Sequence, residues 1–184
     1  MKYIQKSEDS PIVEKELEYP KDHTQIREIL SKEQSYFCAY TEDFFSVGYA
    51  VDIEHFDPTR KNIPRDYFNW YAVGHRWNNK KASKWHDYQP ILHLSDPKFE
   101  ERIVYNTQTN TYTTKANDIE AENLIKLLNI NDYDLAKERE NYILSLKVLL
   151  GLWNNSLPDF IAFLRKGNHL KFRRAVETTF DIKL

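Results

Sequence analysis

Glu54 and His55 stand side by side at the end of an apolar stretch, and two amides follow downstream, Asn69 inside an aromatic run and Asn78 among basic residues. An acid, a histidine and two amides make poor core material. They suit the holding of one divalent cation against a phosphodiester. Hydrolysis of that bond needs a water made nucleophilic, and an unperturbed imidazole titrates close enough to neutrality to take its proton. It also needs positive charge where the phosphate and the leaving oxygen gain negative charge, which a hard, oxygen-bound Mg²⁺ or Mn²⁺ supplies. Glu54 and the side-chain oxygen of Asn78 are suitable hard ligands, with Asp52 and Asp57 as less favoured auxiliaries. On a regular strand, however, neighbours such as Glu54 and His55 point to opposite faces. On pattern alone the plainer reading carries more weight: a solvated carboxylate and a loop histidine.

The charge around these residues turns basic. From His55 to Lys84 the bases Arg60, Lys61, Arg65, Arg76, Lys80, Lys81 and Lys84 face only Asp57 and Asp66. A local excess of this kind is what phosphate contacts require, although a charge run is more often a solvated face. Arg60, Lys61, Arg76, Lys80, Lys81 and Lys84 are therefore expected at a nucleic-acid surface. A second cluster, Arg165, Lys166, Lys171, Arg173 and Arg174, could flank DNA or touch a partner; a solvated face is its plainest account.

An ordered set of short motifs decides between these readings. Leu30 to Gln34, Cys38-Ala39-Tyr40, Ile53-Glu54-His55-Phe56 with Pro58, Tyr67 with Asn69, and Asn78 with Lys81 follow one another along the chain. In this the chain resembles the HNH endonucleases, in the branch found with retron and Septu-type anti-phage defence systems. The resemblance continues through the segments after residue 90. It implies a ββα-metal finger embedded in a mainly α-helical domain, α+β in class. It implies His55 as general base, Glu54 and Asn78 as ligands of Mg²⁺ or Mn²⁺, and Asn69 as the residue that orients the histidine loop. It further implies DNA as substrate, a separate ATPase of the SMC/ABC-like class as partner, and, in retron versions, a reverse transcriptase with its RNA–DNA product.

Members of that family often hold a structural zinc through two CxxC pairs, a closed tetrahedral site. Only Cys38 stands in one of those places; the other three hold Thr41, Gly74 and Trp77. One thiolate cannot make such a site, so no structural zinc is expected. Aromatic packing by Trp77, with Phe68, Trp70 and Tyr71, is expected to fill the vacated volume. Cys38 itself reads as a small buried residue.

The elements that must position these groups follow from pattern. Residues 1–21 read as an extended polar leader, and 21–35 as a helix with Ile26, Ile29 and Leu30 on one face and a capping box from Asp22 and Gln25. Residues 37–53 suit a β-hairpin turning near 42–46, 56–69 a long loop, and 74–84 a short helix. Beyond Pro90 the pattern suits irregular structure or a short hairpin across 107–110. A helix capped by Asn117 carries Leu124, Leu127 and Leu128, and a longer one spans 131–152. Ser156 and Pro158 open another that Gly167 ends, and a last helix carries Phe172, Val176 and Phe180. The expected division is a leader and helix over 1–36, a nuclease core over 37–90 and a helical region over 91–184.

Composition excludes several classes. A chain of 184 residues with 41% hydrophobic content can bury a core and is not a disordered tail. A single cysteine rules out an internal disulfide framework and fits a reducing cytosol. No apolar run reaches a membrane span, the start lacks a signal-peptide core, and a cytoplasmic location is expected. No glycine-rich phosphate loop is present, so ATP hydrolysis belongs to another chain. Net charge of −2 gives no global pull toward nucleic acid, which leaves the local clusters to do it.

Overall fold

β1 (Val51–His55) and β2 (Trp70–Gly74) pair antiparallel, with Glu54 opposite Tyr71 and His55 opposite Trp70. These belong to a computed structural model that describes residues 1–154 and 156–184, the side chains of 80, 82 and 83 excepted. β2 is buried along its whole length, as its apolar run Trp-Tyr-Ala-Val-Gly predicts. The chain leaves Gly74 directly into α3 (His75–Lys81), then a 3₁₀ segment, Ala82–Tyr88. The connection between the strands holds two 3₁₀ turns, Pro58–Arg60 and Tyr67–Asn69. The first is capped by Asp57, whose carboxylate accepts from the Thr59 N–H at 2.9 Å.

The expected hairpin over 37–53 does not form. Phe37 and Phe44 share only an isolated bridge. Left-handed backbone at Glu42 (φ 62°) and Gly48 (φ 83°) breaks the extended run. The outer edge of β2 is taken instead by a side chain: Gln34 donates to the Ala72 carbonyl and accepts from the Ala72 N–H, both at 2.8 Å. Ala39 adds a backbone bond to the same carbonyl at 3.1 Å.

The leader is not an extended appendage either. It contains α1 (Pro11–Glu14), capped by Ser10, and buries Met1, Ile4, Ile12 and Leu17. The Met1 ammonium lies 3.2 Å from the buried Glu42 carboxylate, and the Ile4 N–H donates to the Leu94 carbonyl. These four apolar residues are too dispersed among charges to show a period. α2 (His23–Glu33) packs on β1 and β2. Asp22 precedes it without capping it, since its carboxylate accepts from the Glu18 N–H.

Downstream, α4 (Phe99–Arg102) leads into the hairpin β3 (Ile103–Asn106) and β4 (Thr111–Thr114), where the turn signals placed it. α5 (Ile119–Leu128) is capped by Asp118, not Asn117, which adopts a left-handed conformation. α6 (Tyr133–Gly151), α7 (Leu157–Lys166, capped by Ser156 and followed by Gly167) and α8 (Arg173–Phe180) complete the chain. The fold is α+β, helices with small antiparallel sheets, and one apolar core runs from Met1 to Val176 through all these elements. Among the described residues no helix is long and apolar enough to cross a membrane.

Candidate functional site

His55 ends β1, and the loop that follows is tied down by one side chain. Asn69, 1% exposed, accepts from the Asp57 N–H at 2.7 Å and donates to the Asp57 carbonyl at 3.0 Å. Its own carbonyl accepts from the Phe56 N–H at 2.8 Å. The amide therefore fixes the backbone two residues past His55. Replacing Asn69 with alanine leaves both Asp57 backbone groups without these partners, a cost of about 1–3 kcal/mol. Chemical denaturation measures it, and an unchanged midpoint would show that the clamp contributes nothing.

A cleft of about 360 Å³ opens at this end of the strand pair, lined by Glu54, His55, Asn78, Lys61, Asp52 and Tyr19 among others. Strand alternation puts Asp52 and Glu54 on one face. Asp52 Oδ2 accepts from Asn78 Nδ2 at 2.9 Å and lies 2.8 Å from His75 Nδ1. Asn78 thus commits its amide nitrogen to Asp52, which leaves its oxygen as the arm for a cation. Glu54, 7% exposed, accepts from the Tyr40 hydroxyl at 3.0 Å and from the Lys81 ammonium, both at Oε1.

Lys81 corrects an expectation. It is 2% exposed, and besides Glu54 its ammonium donates to the carbonyls of His55 and Phe56. It cannot meet phosphate; it braces the end of β1 from beneath. Burial pushes the Glu54 carboxyl up and the Lys81 ammonium down, and each charge pulls the other back. Of the other expected phosphate contacts, Lys61 is exposed and lines the cleft, while Arg60 is paired with Asp66. Arg76 faces Asp134 of α6 at 3.9 Å, Lys84 is exposed on the 3₁₀ segment, and the side chain of Lys80 lies outside the described residues.

His55 is 6% exposed, with Tyr19 and Trp70 edge-on at ring-centroid distances of 4.7 and 6.1 Å. Burial, helped by the charges of Lys61 and Lys81, lowers its pKa to about 4, so the ring is neutral at pH 7. Nε2 is buried without a partner. Nδ1 makes no hydrogen bond among the described residues. Tyr19 and His23, which also line the cleft, were not legible as site residues; the Tyr-Pro step before α2 was the only local signal.

Two of the four positions compared with zinc ligands, Cys38 and Gly74, are in contact. Cys38 Sγ accepts from the Gly74 N–H at 3.4 Å, and burial pushes the thiol up. The ring that lies on Gly74 is Tyr49, close enough that a Cβ there would sit 2.7 Å from its hydroxyl. Phe68, expected to fill this volume, is 40% exposed, and Trp70 and Tyr71 pack elsewhere, against Tyr19 and Phe56.

Among the described residues no three or more His, Cys, Asp or Glu side chains come together as a metal-binding group. A dication here would rest on few protein oxygens, as Mg²⁺ does when waters and phosphate complete its shell. Glu54, the Asn78 oxygen and neighbouring Asp52 are of that chemistry and share the cleft, so the residues fit such an ion. No family model matches the chain, and no curated protein matches it.

Proposed function

We propose that the chain is a metal-dependent HNH-type endonuclease, with β1, β2 and α3 as its ββα-metal finger, and that it serves as the effector nuclease of a bacterial anti-phage defence system. One observation carries the reading: Asn69 clamps the loop behind His55 while His55, Glu54 and Asn78 line one cleft. The contact of Cys38 with Gly74 supports it, because those are two of the places where the HNH endonucleases that the chain resembles often hold zinc.

The chemistry follows from the neutral imidazole. His55 accepts a proton from the attacking water at Nδ1 as the water oxygen bonds to phosphorus and the bond to the leaving oxygen breaks. A divalent cation held by Glu54 and Asn78 would neutralise the charge that develops on the phosphate. Lys61 is placed to hold the strand. Lys81, through Glu54 and two carbonyls, fixes the direction of β1 where it delivers His55.

A second reading, a nucleic-acid-binding scaffold that kept the fold and lost cleavage, draws on the Lys81 ammonium that occupies Glu54 Oε1. An RNase toxin is a third. Labelled plasmid, single-stranded DNA and RNA incubated with Mg²⁺ or Mn²⁺ separate them: the proposal expects cut DNA. Bound but uncut nucleic acid favours the scaffold, and RNA cut in preference to DNA favours the toxin.

The partner belongs to the same proposal. α6 exposes Leu144, Val148 and Leu149, Leu152 follows at its C-terminal cap, and α7 exposes Phe163, apolar surface suited to a defence-system ATPase of the SMC/ABC-like class, with or without a retron reverse transcriptase. Val148→Glu with Leu152→Glu is expected to abolish co-purification with the neighbouring ATPase and leave the melting temperature unchanged. Retained co-purification would place the partner elsewhere.

A further inference from the structure

We infer that the candidate catalytic cleft is the end of a longer groove built for single-stranded nucleic acid; this rests on the nuclease reading for its direction, and its test does not. Asp52 lines both that cleft and a second of about 630 Å³ between α2 and the 45–52 segment, which also takes Arg27, Lys32, Tyr36 and Tyr49. Tyr36 in turn lines a third of about 520 Å³, with Phe44, Arg165 and Arg173 at the corner of α7 and α8. Asp52 and Tyr36 thus each line two of the three clefts.

The lining has the two ingredients that single strands need, cations for phosphates and ring faces for unpaired bases. Lys61, Arg27, Lys32 and Arg165 make no ion pair among the described residues, so their charges are not already spent. The acids on the path besides those of the catalytic cleft are few, Glu28 being the one that lines the second cleft. Arg173 stacks over Phe37 at 4.2 Å beneath the third.

Tyr36 is the pivot. It is 43% exposed, sits at the junction of two clefts, and its ring centroid lies 6.3 Å from that of Phe44. Its backbone is left-handed (φ 63°), as is that of Ser35 (φ 54°), so two successive non-glycine residues are strained. Their N–H groups close the end of α2, on the carbonyls of Ser31 and Lys32. That turn leaves Tyr36 on the wall of two clefts that also carry Arg27, Lys32 and Arg165. A duplex would offer that ring no unstacked base.

Fluorescence anisotropy of a labelled oligothymidine in EDTA reads binding without cleavage. Tyr36→Ala is expected to weaken it by about 5- to 150-fold and Tyr36→Phe to restore it. Arg165→Ala should lower the slope of log affinity against log salt by about 0.7. Both residues are exposed, so melting temperatures should hold. Wild-type affinity in Tyr36→Ala, an unchanged salt slope in Arg165→Ala, equal affinity for duplex, or no binding at all would each overturn the groove. If the strand binds as expected and no metal supports cutting, the nuclease reading falls and the groove stands. If the protein cuts while the Tyr36 and Arg165 variants bind as wild type, the groove falls alone.

Discussion

His55→Ala is expected to lower cleavage by about 10²–10⁴-fold, the range that a positioned general base contributes. The carboxylates of Glu54 and Asp52 already accept from Lys81 and Tyr40, and from Asn78, and His75 is paired to Asp52, which leaves His23 as the other imidazole lining the cleft and His23→Ala as the control. Removing a ring packed against Tyr19 and Trp70 also leaves a cavity, so His55→Gln, which fills more of it, should be equally inactive and melt closer to wild type. The pH dependence follows from the burial of His55. Protonation removes the base, and its pKa lies at about 4 in place of 6.5. The acid limb of kcat/KM should therefore fall near pH 4, and activity should hold through the range where an unperturbed histidine would have lost it. A limb near 6.5 in kcat/KM, which reports the free enzyme, would contradict the buried placement of His55.

Lys81→Met is expected to cost about 3–5 kcal/mol of folding free energy, because it breaks a buried ion pair from one side. The Glu54 carboxylate and the carbonyls of His55 and Phe56 all lose their donor, and Tyr40 alone remains to Glu54. Burial already raises the Glu54 carboxyl, so the unpaired group can escape by taking a proton. The penalty should shrink as pH falls through that raised range. Lys81→Met with Glu54→Gln should recover part of the loss, since no charge is then left alone. Urea denaturation of the single and double variants measures this. A midpoint shift in Lys81→Met no larger than that of exposed Lys84→Met would contradict the account of Lys81.

The residues of the candidate site stand out in the sequence only through the order of their motifs, since an acid, a histidine and two amides taken singly read as solvated and loop residues. Their surroundings were not legible. Lys81 reads as one more base in a solvated run, and only the approach of α3 beneath β1 buries it. Asn69 acts on the backbone of Asp57, and a backbone group leaves no mark in composition. β1 was given the wrong partner because alternation marks a strand without naming its neighbour, and the competing segment is broken by left-handed residues at Glu42 and Gly48. Helices fared better where a cap and a stripe agreed, as with Ser156 and α7. The N-terminal leader fared worst: its four buried apolar residues are separated by charges, and they find the core through long-range contacts such as Met1 with Glu42.

The central claim is that the His55 cleft hydrolyses phosphodiesters with a divalent cation. The most direct measurement is the cleavage rate of an end-labelled DNA across a Mg²⁺ or Mn²⁺ titration, for wild type, His55→Ala and the surface control His86→Ala, each alone and with the neighbouring ATPase. The account predicts cleavage that saturates with metal, stops on EDTA, is lost in His55→Ala and persists in His86→Ala. Cleavage indifferent to EDTA or to His55, or none by the wild type even in company, would contradict it.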